Sequence, residues 1–152
     1  MPEEVAASKS EEQKKGSKYE KALPEVNNVT KPFWEHCRNH ELRMQFCANC
    51  QEWIWYPKAW CPQCGGRDKI EWRKLSGNGQ LYSFTVIRQV IENSPAFQPD
   101  LPIVLGLIEL DEGPRIYSDV TGVSPDQVSI GDRLSIYFED ATPEISLPKF
   151  RK

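Results

Sequence analysis

Three patterns of apolar spacing succeed one another along the chain. Residues 1–30 are rich in Glu, Lys and Ser, with Val5, Leu23 and Val26 among their few branched apolar side chains. Such a segment cannot bury enough apolar area to offset the entropy of ordering it, so it reads as a flexible charged tail with some helical tendency over residues 10–22. A helix is predicted over 31–42, with Thr30 as N-cap and Pro32 in its first turn. Phe33, Trp34 and Cys37 share one face of that helix, which must dock on something.

From residue 75 onward the apolar positions recur with period two. Residues 81–91 alternate, 103–111 form a near-continuous apolar run, 114–121 follow an Asp-Glu-Gly turn, 132–139 alternate again, and Phe150 closes a fifth strand. Gly106 inside the second strand implies a bulge or a close backbone approach. Residues 124–128 read as one helical turn capped by Ser124 and ended by Gly131. Five strands with a short helix between the third and fourth is the plan of an OB-fold, so residues 75–152 are expected to form a five-stranded barrel in a mainly β chain.

Between helix and barrel, residues 43–74 are too few and too polar to build a core unaided. They carry Cys47, Cys50, Cys61 and Cys64 in a C-x2-C-x10-C-x2-C arrangement. Each x2 spacing lets two thiolates converge on one ion, and four thiolates make a closed tetrahedral site of the structural kind, with Zn–S near ~2.3 Å and no position left for water. One structural Zn2+ is the expectation. A rubredoxin-like iron site is the first rival, suggested by the Cys-Pro-x-Cys-Gly second knuckle, and a thioredoxin-like redox pair the second. The recurrence of the pair favours zinc.

Charge separates the same regions. The chain has a net charge of −3, distributed as −1 over residues 1–42, +3 over 43–74 and −5 over 75–152. The basic island also holds every tryptophan except Trp34. Trp53, Trp55, Tyr56, Trp60 and Trp72 crowd it beside Lys58, Arg67, Lys69, Arg73 and Lys74. Aromatic residues interleaved with cations stack on bases, hold a nucleotide, or form the centre of a protein interface. Several of them are also expected to pack the ribbon against helix and barrel.

Other classes of function fall away. The longest apolar run, residues 103–108 broken by Gly106, is far short of the ~18 residues of a membrane span. The N-terminus has no apolar core of a secretory signal, so a cytoplasmic location is expected, and paired cysteines there bind metal rather than form disulfides. His36 and His40, one helical turn apart, are the only histidines. Without a carboxylate pattern such as H-E-x-x-H they read as a helix surface. Neither lies in the barrel, so no Ser-His-Asp or Cys-His arrangement is supported. The carboxylate pairs Asp111/Glu112 and Glu139/Asp140 sit at strand ends, where they solvate turns, and Cys37 reads as a small buried residue.

Taken together, several features resemble the acyl-CoA-associated OB-fold proteins with a rubredoxin-like zinc ribbon. These are the helix with Pro32, Phe33 and Trp34, the four cysteines, Pro57 before the second knuckle, Trp72, Ser76-Gly77-x-Gly79 and the strand from Tyr82 to Val86. The run 102–113, Ile130-Gly131-Asp132 and the closing Pro148-x-Phe150-Arg151 extend the likeness to about Arg151. The resemblance implies a non-catalytic or assisting subunit in a hetero-oligomer with a thiolase-like enzyme, or with hydratase and aldolase partners, acting on acyl-CoA thioesters. Ketone-body, steroid and anaerobic aromatic degradation are known settings, a benzoylsuccinyl-CoA thiolase among them. Where the family often has Gly after the first knuckle and Pro-Pro-Arg before the second, this chain has Gln51 and Tyr56-Pro57-Lys58. Coenzyme A thioester is then a candidate ligand, and Trp53, Trp55, Tyr56, Lys58, Arg67 and Lys69 are the candidate CoA-facing or partner-facing residues. The alternative is a single-stranded nucleic-acid-binding protein, which the acidic barrel disfavours because tracking a phosphate backbone calls for a basic groove.

Overall fold

The structure is a computed structural model and describes residues 19–90 and 94–152. Among the described residues one α-helix, α1 (Lys31–Arg38), leads into a three-stranded antiparallel sheet of β1 (Arg43–Cys47), β2 (Glu52–Ile54) and β3 (Ile70–Lys74), in the order β2-β1-β3. A closed barrel follows, built from β4 (Asn78–Ile87), β5 (Ile103–Leu110), β6 (Arg115–Thr121), β7 (Arg133–Asp140) and β8 (Ser146–Arg151). Its order, β4-β5-β6-β8-β7, with β6 and β8 parallel, is the OB-fold plan. Short 3-10 turns occupy Pro95–Asp100 and Pro125–Gln127, the latter in the expected place between the third and fourth barrel strands.

The helix is shorter than the expected 31–42. The His40 N–H bonds the carbonyl of Cys37 and the Glu41 N–H that of His36, while His40 sits at φ 57°. This is a Schellman stop, with histidine in the left-handed position that glycine usually fills, so the sequence gives no breaker signal there. The start differs too. Thr30 makes no side-chain cap bond; Asn27 Oδ1 instead accepts the N–H groups of Val29 and Thr30 at 2.9 and 3.0 Å. The apolar face is as expected, with Phe33, Trp34 and Cys37 all buried.

The tail expected over residues 1–30 also needs correction in its second half. Residues 1–18, with most of the helical tendency placed on 10–22, lie outside the described residues, and 19–22 are not helical. Residues 19–30 are tied down. Leu23 packs on the main core, Lys21 pairs with Asp100, and the Lys21 ammonium lies 5.8 Å from the Phe97 ring.

In the barrel the alternation of the sequence becomes an inward and an outward face, as in β5, where Val104, Gly106, Ile108 and Leu110 point in. The bulge falls not at Gly106 but at Tyr82, where the β4–β5 register steps between Leu81 and Ser83. Nor does another backbone approach Gly106; the absent side chain makes room for core side chains, since a Cβ there would lie 2.8 Å from Val120 Cγ2 and 2.9 Å from Leu81 Cδ1. Gly79 is tighter still: a Cβ would stand 2.4 Å from the Glu109 carbonyl oxygen, where β4 crosses to close on β7. Beside that closure Arg133 makes paired 2.8 Å bonds to both carboxylate oxygens of Asp111.

Helix, ribbon base and barrel share one core. Phe33, Trp34, Cys37, Leu42 and Met44 belong to the same buried cluster as Leu81, Ile108, Ile116 and Phe150. Cys47, Ile54 and Cys61 form a second, small cluster at the far end of the ribbon.

Candidate metal centre and ribbon surface

The four ribbon cysteines converge from two matching turns. After each Cys-x-x-Cys the next residue adopts a left-handed conformation, Gln51 at φ 58° and Gly65 at φ 70°. Its N–H bonds the carbonyl of the first cysteine at 2.8 Å, Gln51 to Cys47 and Gly65 to Cys61. This curl turns both sulfurs of a pair inward. Cys61 and Gly66 close the second knuckle with a further 2.8 Å backbone bond.

All four Sγ atoms lie within 4.8 Å of one another, with Cys47–Cys64 and Cys50–Cys61 at 3.9 Å. A tetrahedron with ~2.3 Å metal–sulfur bonds has edges of about 3.8 Å, so the cage has the size one zinc ion needs. Hydrogen bonds from the Gly66 backbone, Cys50 and Asn49 bring the Cys64 thiol down to about 7. Cys50 is pushed up to about 12, by its hydrogen bond to Cys64 first, then by desolvation and the sulfurs of Cys61 and Cys47. Thiols this close cannot all ionise until a cation replaces their protons, and a divalent metal does that. A bound zinc would supply no open coordination position and no reactive water; it would staple the two knuckles.

His36 and His40 are each engaged with neighbours of their own. His36 packs against Trp72 at 5.7 Å, and its pKa is lowered by burial. His40 stacks on Phe138 at 5.4 Å and bonds Asp140 at 2.8 Å. Cys37 is fully buried, and burial pushes its thiol up to about 12. The carboxylates are engaged structurally: Asp111 holds Arg133, Glu112 accepts the Ser76 N–H at 2.7 Å, Glu139 pairs with Lys149, and Asp140 accepts from Ser146.

The aromatic and basic residues singled out in the ribbon divide into two groups. Trp53 and Trp55 are half-buried against the main core, Trp53 edge-on to Phe46 at 5.0 Å and Trp55 edge-on to Phe33 at 4.9 Å. Tyr56 is exposed, yet its hydroxyl accepts a 3.0 Å bond from the Trp34 indole N–H. Lys58, Arg67 and Lys69 are exposed. Trp60 is the most exposed tryptophan, at 52 %, with the Arg67 guanidinium 5.6 Å from its ring centroid. Two positions carry more than the sequence suggests. Trp60 is one, since composition does not tell an outward tryptophan from an inward one. Gln45 is the other: buried on β1, it accepts the Lys58 N–H at 2.7 Å and donates to the Lys58 carbonyl at 3.0 Å, anchoring the loop between the knuckles. A glutamine in a short strand gives no signal of that role.

Residues 34–70 match the family described as the ChsH2 rubredoxin-like zinc ribbon domain, and residues 72–139 the ChsH2 C-terminal OB-fold domain. A probable enoyl-CoA hydratase alpha subunit of Thermomonospora curvata is 32 % identical over 143 residues, covering 94 % of this chain and 43 % of that protein. This chain thus spans less than half the length of that relative. A DUF35 domain-containing scaffold protein of Methanothermobacter thermautotrophicus is 31 % identical over 73 % of this chain and 82 % of its own length. Among solved structures, a chain of the Ltp2-ChsH2(DUF35) aldolase superposes with a TM-score of 0.74 at 32 % identity, covering 85 % of this chain and 98 % of that one. The chain therefore belongs to the DUF35 family, in which a ChsH2-type rubredoxin-like zinc ribbon is joined to an OB-fold domain.

Proposed function

We propose that this chain is a non-catalytic accessory subunit that assembles with a catalytic chain acting on acyl-CoA thioesters, with a thiolase-like enzyme as the specific partner. The observation that carries the reading is the likeness to nearly the whole of a chain of the Ltp2-ChsH2(DUF35) aldolase. The hydratase alpha subunit of Thermomonospora curvata supports the same class of substrate. The chemistry of the chain agrees. A thiolase step needs an accessible thiolate and a base beside it. Here four cysteines form the metal cage, Cys37 is sealed in the core, and both histidines lie at the end of α1. In this reading the reacting groups come from the partner, and the surface bearing Tyr56, Lys58, Arg67 and Lys69 faces the partner or the CoA nucleotide, with Trp53 and Trp55 holding that surface in place.

Co-expression with candidate acyl-CoA enzymes tests it. A stable hetero-oligomer should form with a thiolase-like chain, turnover should require the complex, and the isolated subunit should cleave no acyl-CoA. Turnover by the isolated chain, or full activity of the partner without it, overturns the reading. A hydratase or aldolase partner in place of a thiolase would keep the accessory role and change the reaction.

The nucleic-acid reading has one favouring observation, the Arg115 guanidinium 3.6 Å over the Tyr82 ring on the outer barrel face, beside the exposed Tyr117. Arg115 is already paired with Glu109, and the barrel segment is acidic. Binding to single strands should therefore vanish near ~0.15 M salt, to be checked by titration, with sub-micromolar binding there as the contrary result.

A further inference from the structure

The ribbon's six cations fall into two sets. Arg43 and Lys74 pair with Glu41, and Arg73 with Glu71, at the end of the sheet nearest the helix. Lys58, Arg67 and Lys69, at the knuckle end, have no carboxylate within ion-pair distance among the described residues. At that same end Trp60 leaves half its surface in water, with Arg67 laid over it. Trp60 directly precedes Cys61, and Arg67 follows Cys64 by three residues, so the two flank the second knuckle, which the Gly65–Cys61 and Cys61–Gly66 backbone bonds close. An exposed tryptophan beside an arginine whose donors are unspent has the composition of an interface hot spot.

We propose that Trp60, with Arg67 stacked on it, anchors the ribbon in an apolar slot rimmed by carboxylates on the catalytic subunit. This rests on the accessory-subunit reading. What points to an acidic rim is pairing: among the described residues Arg67, Lys58 and Lys69 have no ion-pair partner, so their donors are left for carboxylates on another chain. A zinc–tetrathiolate centre carries a formal −2 that nearby cations would offset, which gives Arg67 a competing role. With no carboxylate within ion-pair distance among the described residues, its donors are left for partner acceptors.

The test uses the full chain and the thiolase-like subunit with which it co-purifies, each expressed separately, with affinity measured by calorimetry and zinc by elemental analysis. Trp60→Ala should weaken assembly at least tenfold with zinc still bound one to one. Arg67→Glu should do the same, Arg67→Lys should cost less, and raising salt from 0.05 to 0.3 M should weaken the wild type more than Arg67→Glu. Wild-type affinity in Trp60→Ala overturns the anchor and leaves the accessory role standing. Unchanged assembly with faster zinc loss in Arg67→Glu assigns that residue to the metal and removes the acidic rim. If the chain alone is a dimer that Trp60→Ala makes monomeric, the occupant is a second copy and the proposal fails. If no acyl-CoA enzyme binds the wild type, the accessory reading fails first.

Discussion

In the barrel, Leu81, Ile108, Leu110, Ile116 and Phe150 are each at most 2 % exposed, and every strand has two neighbours. At the knuckle end of the ribbon the buried cluster is Cys47, Ile54 and Cys61, two of them cysteines of the four-thiol cage. The barrel is held by apolar area removed from water and by closure of its hydrogen-bond ladder. The knuckle end has almost no such area, so the ion must supply what a core does elsewhere. The boundary between these regimes does not run where the sequence changes from ribbon to barrel. Leu42 and Met44 sit in the barrel's core cluster, which places the ribbon base with the barrel and leaves only the knuckles dependent on metal.

The sharpest way to break this contrast is to remove the ion. Structural zinc contributes on the order of 10 kcal/mol or more of apparent binding free energy. Chelation, or Cys61→Ser, should unfold the knuckles while β1, α1 and the barrel survive. Hydrogen exchange checks it: amides of residues 48–69 should lose protection and those of β5 keep it. Simultaneous loss of both would mean that the metal supports the whole fold.

The converse substitution is Phe150→Ala, fully buried where β8 meets β6. It should cost about 3–5 kcal/mol and lower the melting temperature of the barrel, with zinc stoichiometry unchanged in the folded protein. Zinc loss at temperatures where the barrel is still folded would show that the two regions are coupled more tightly than their cores imply.

Acid should separate the regions in order. Asp111, Asp132 and Asp140 are held below the usual carboxylate range, by Arg133, by the Ser129 N–H and Lys152, and by Ser146 and His40 respectively. A depressed folded-state pKa gives stability that is complete above the unfolded value of ~3.9 and is lost as pH falls through the folded value. These carboxylates should therefore leave barrel stability unaffected down to about pH 4 and withdraw support below it. Protons compete with metal for thiolates well above that range, so the knuckles should release zinc first. Denaturation followed at several pH values, with a zinc indicator present, reads both steps.

The smallest expected effect lies at Gln51, a side chain in the left-handed region where its counterpart in the second knuckle is Gly65. Gln51→Gly should stabilise the knuckle by about 0.5–1 kcal/mol, since the strain relieved exceeds the backbone entropy added. The gain is reduced by losing the Gln51 amide bond to the Ala48 carbonyl. Slower zinc transfer to a chelator would show it, and faster transfer would mean that this side-chain bond outweighs the relieved strain.

What could be read directly was whatever depends on local periodicity or spacing. The two Cys-x-x-Cys turns are local, so their meeting at one point followed from the sequence. The barrel strands alternate because one face of each is buried, which made their existence and their positions along the chain legible to within a few residues. The bulge at Tyr82 was not, because it depends on how β4 must curve to meet both β5 and β7. The helix stop at His40 was missed because its signal is a pair of backbone bonds rather than a glycine or proline. Residues 19–30 looked unable to order themselves, and alone they would be; they are fixed by a surface that does not exist until the barrel has formed.

The sequence by itself determined the four-cysteine donor set, the succession of strands along the chain and the mainly β class, because thiolate spacing and two-residue alternation act over a few residues. Only the tertiary structure decided which tryptophan faces water, which cations keep their donors free, and that the ribbon base shares the barrel's core. Those depend on contacts between residues far apart in the chain, such as Trp34 with Tyr56 and Gln45 with Lys58, and a one-dimensional pattern of apolar and polar positions does not encode which of two equally apolar rings ends up inside.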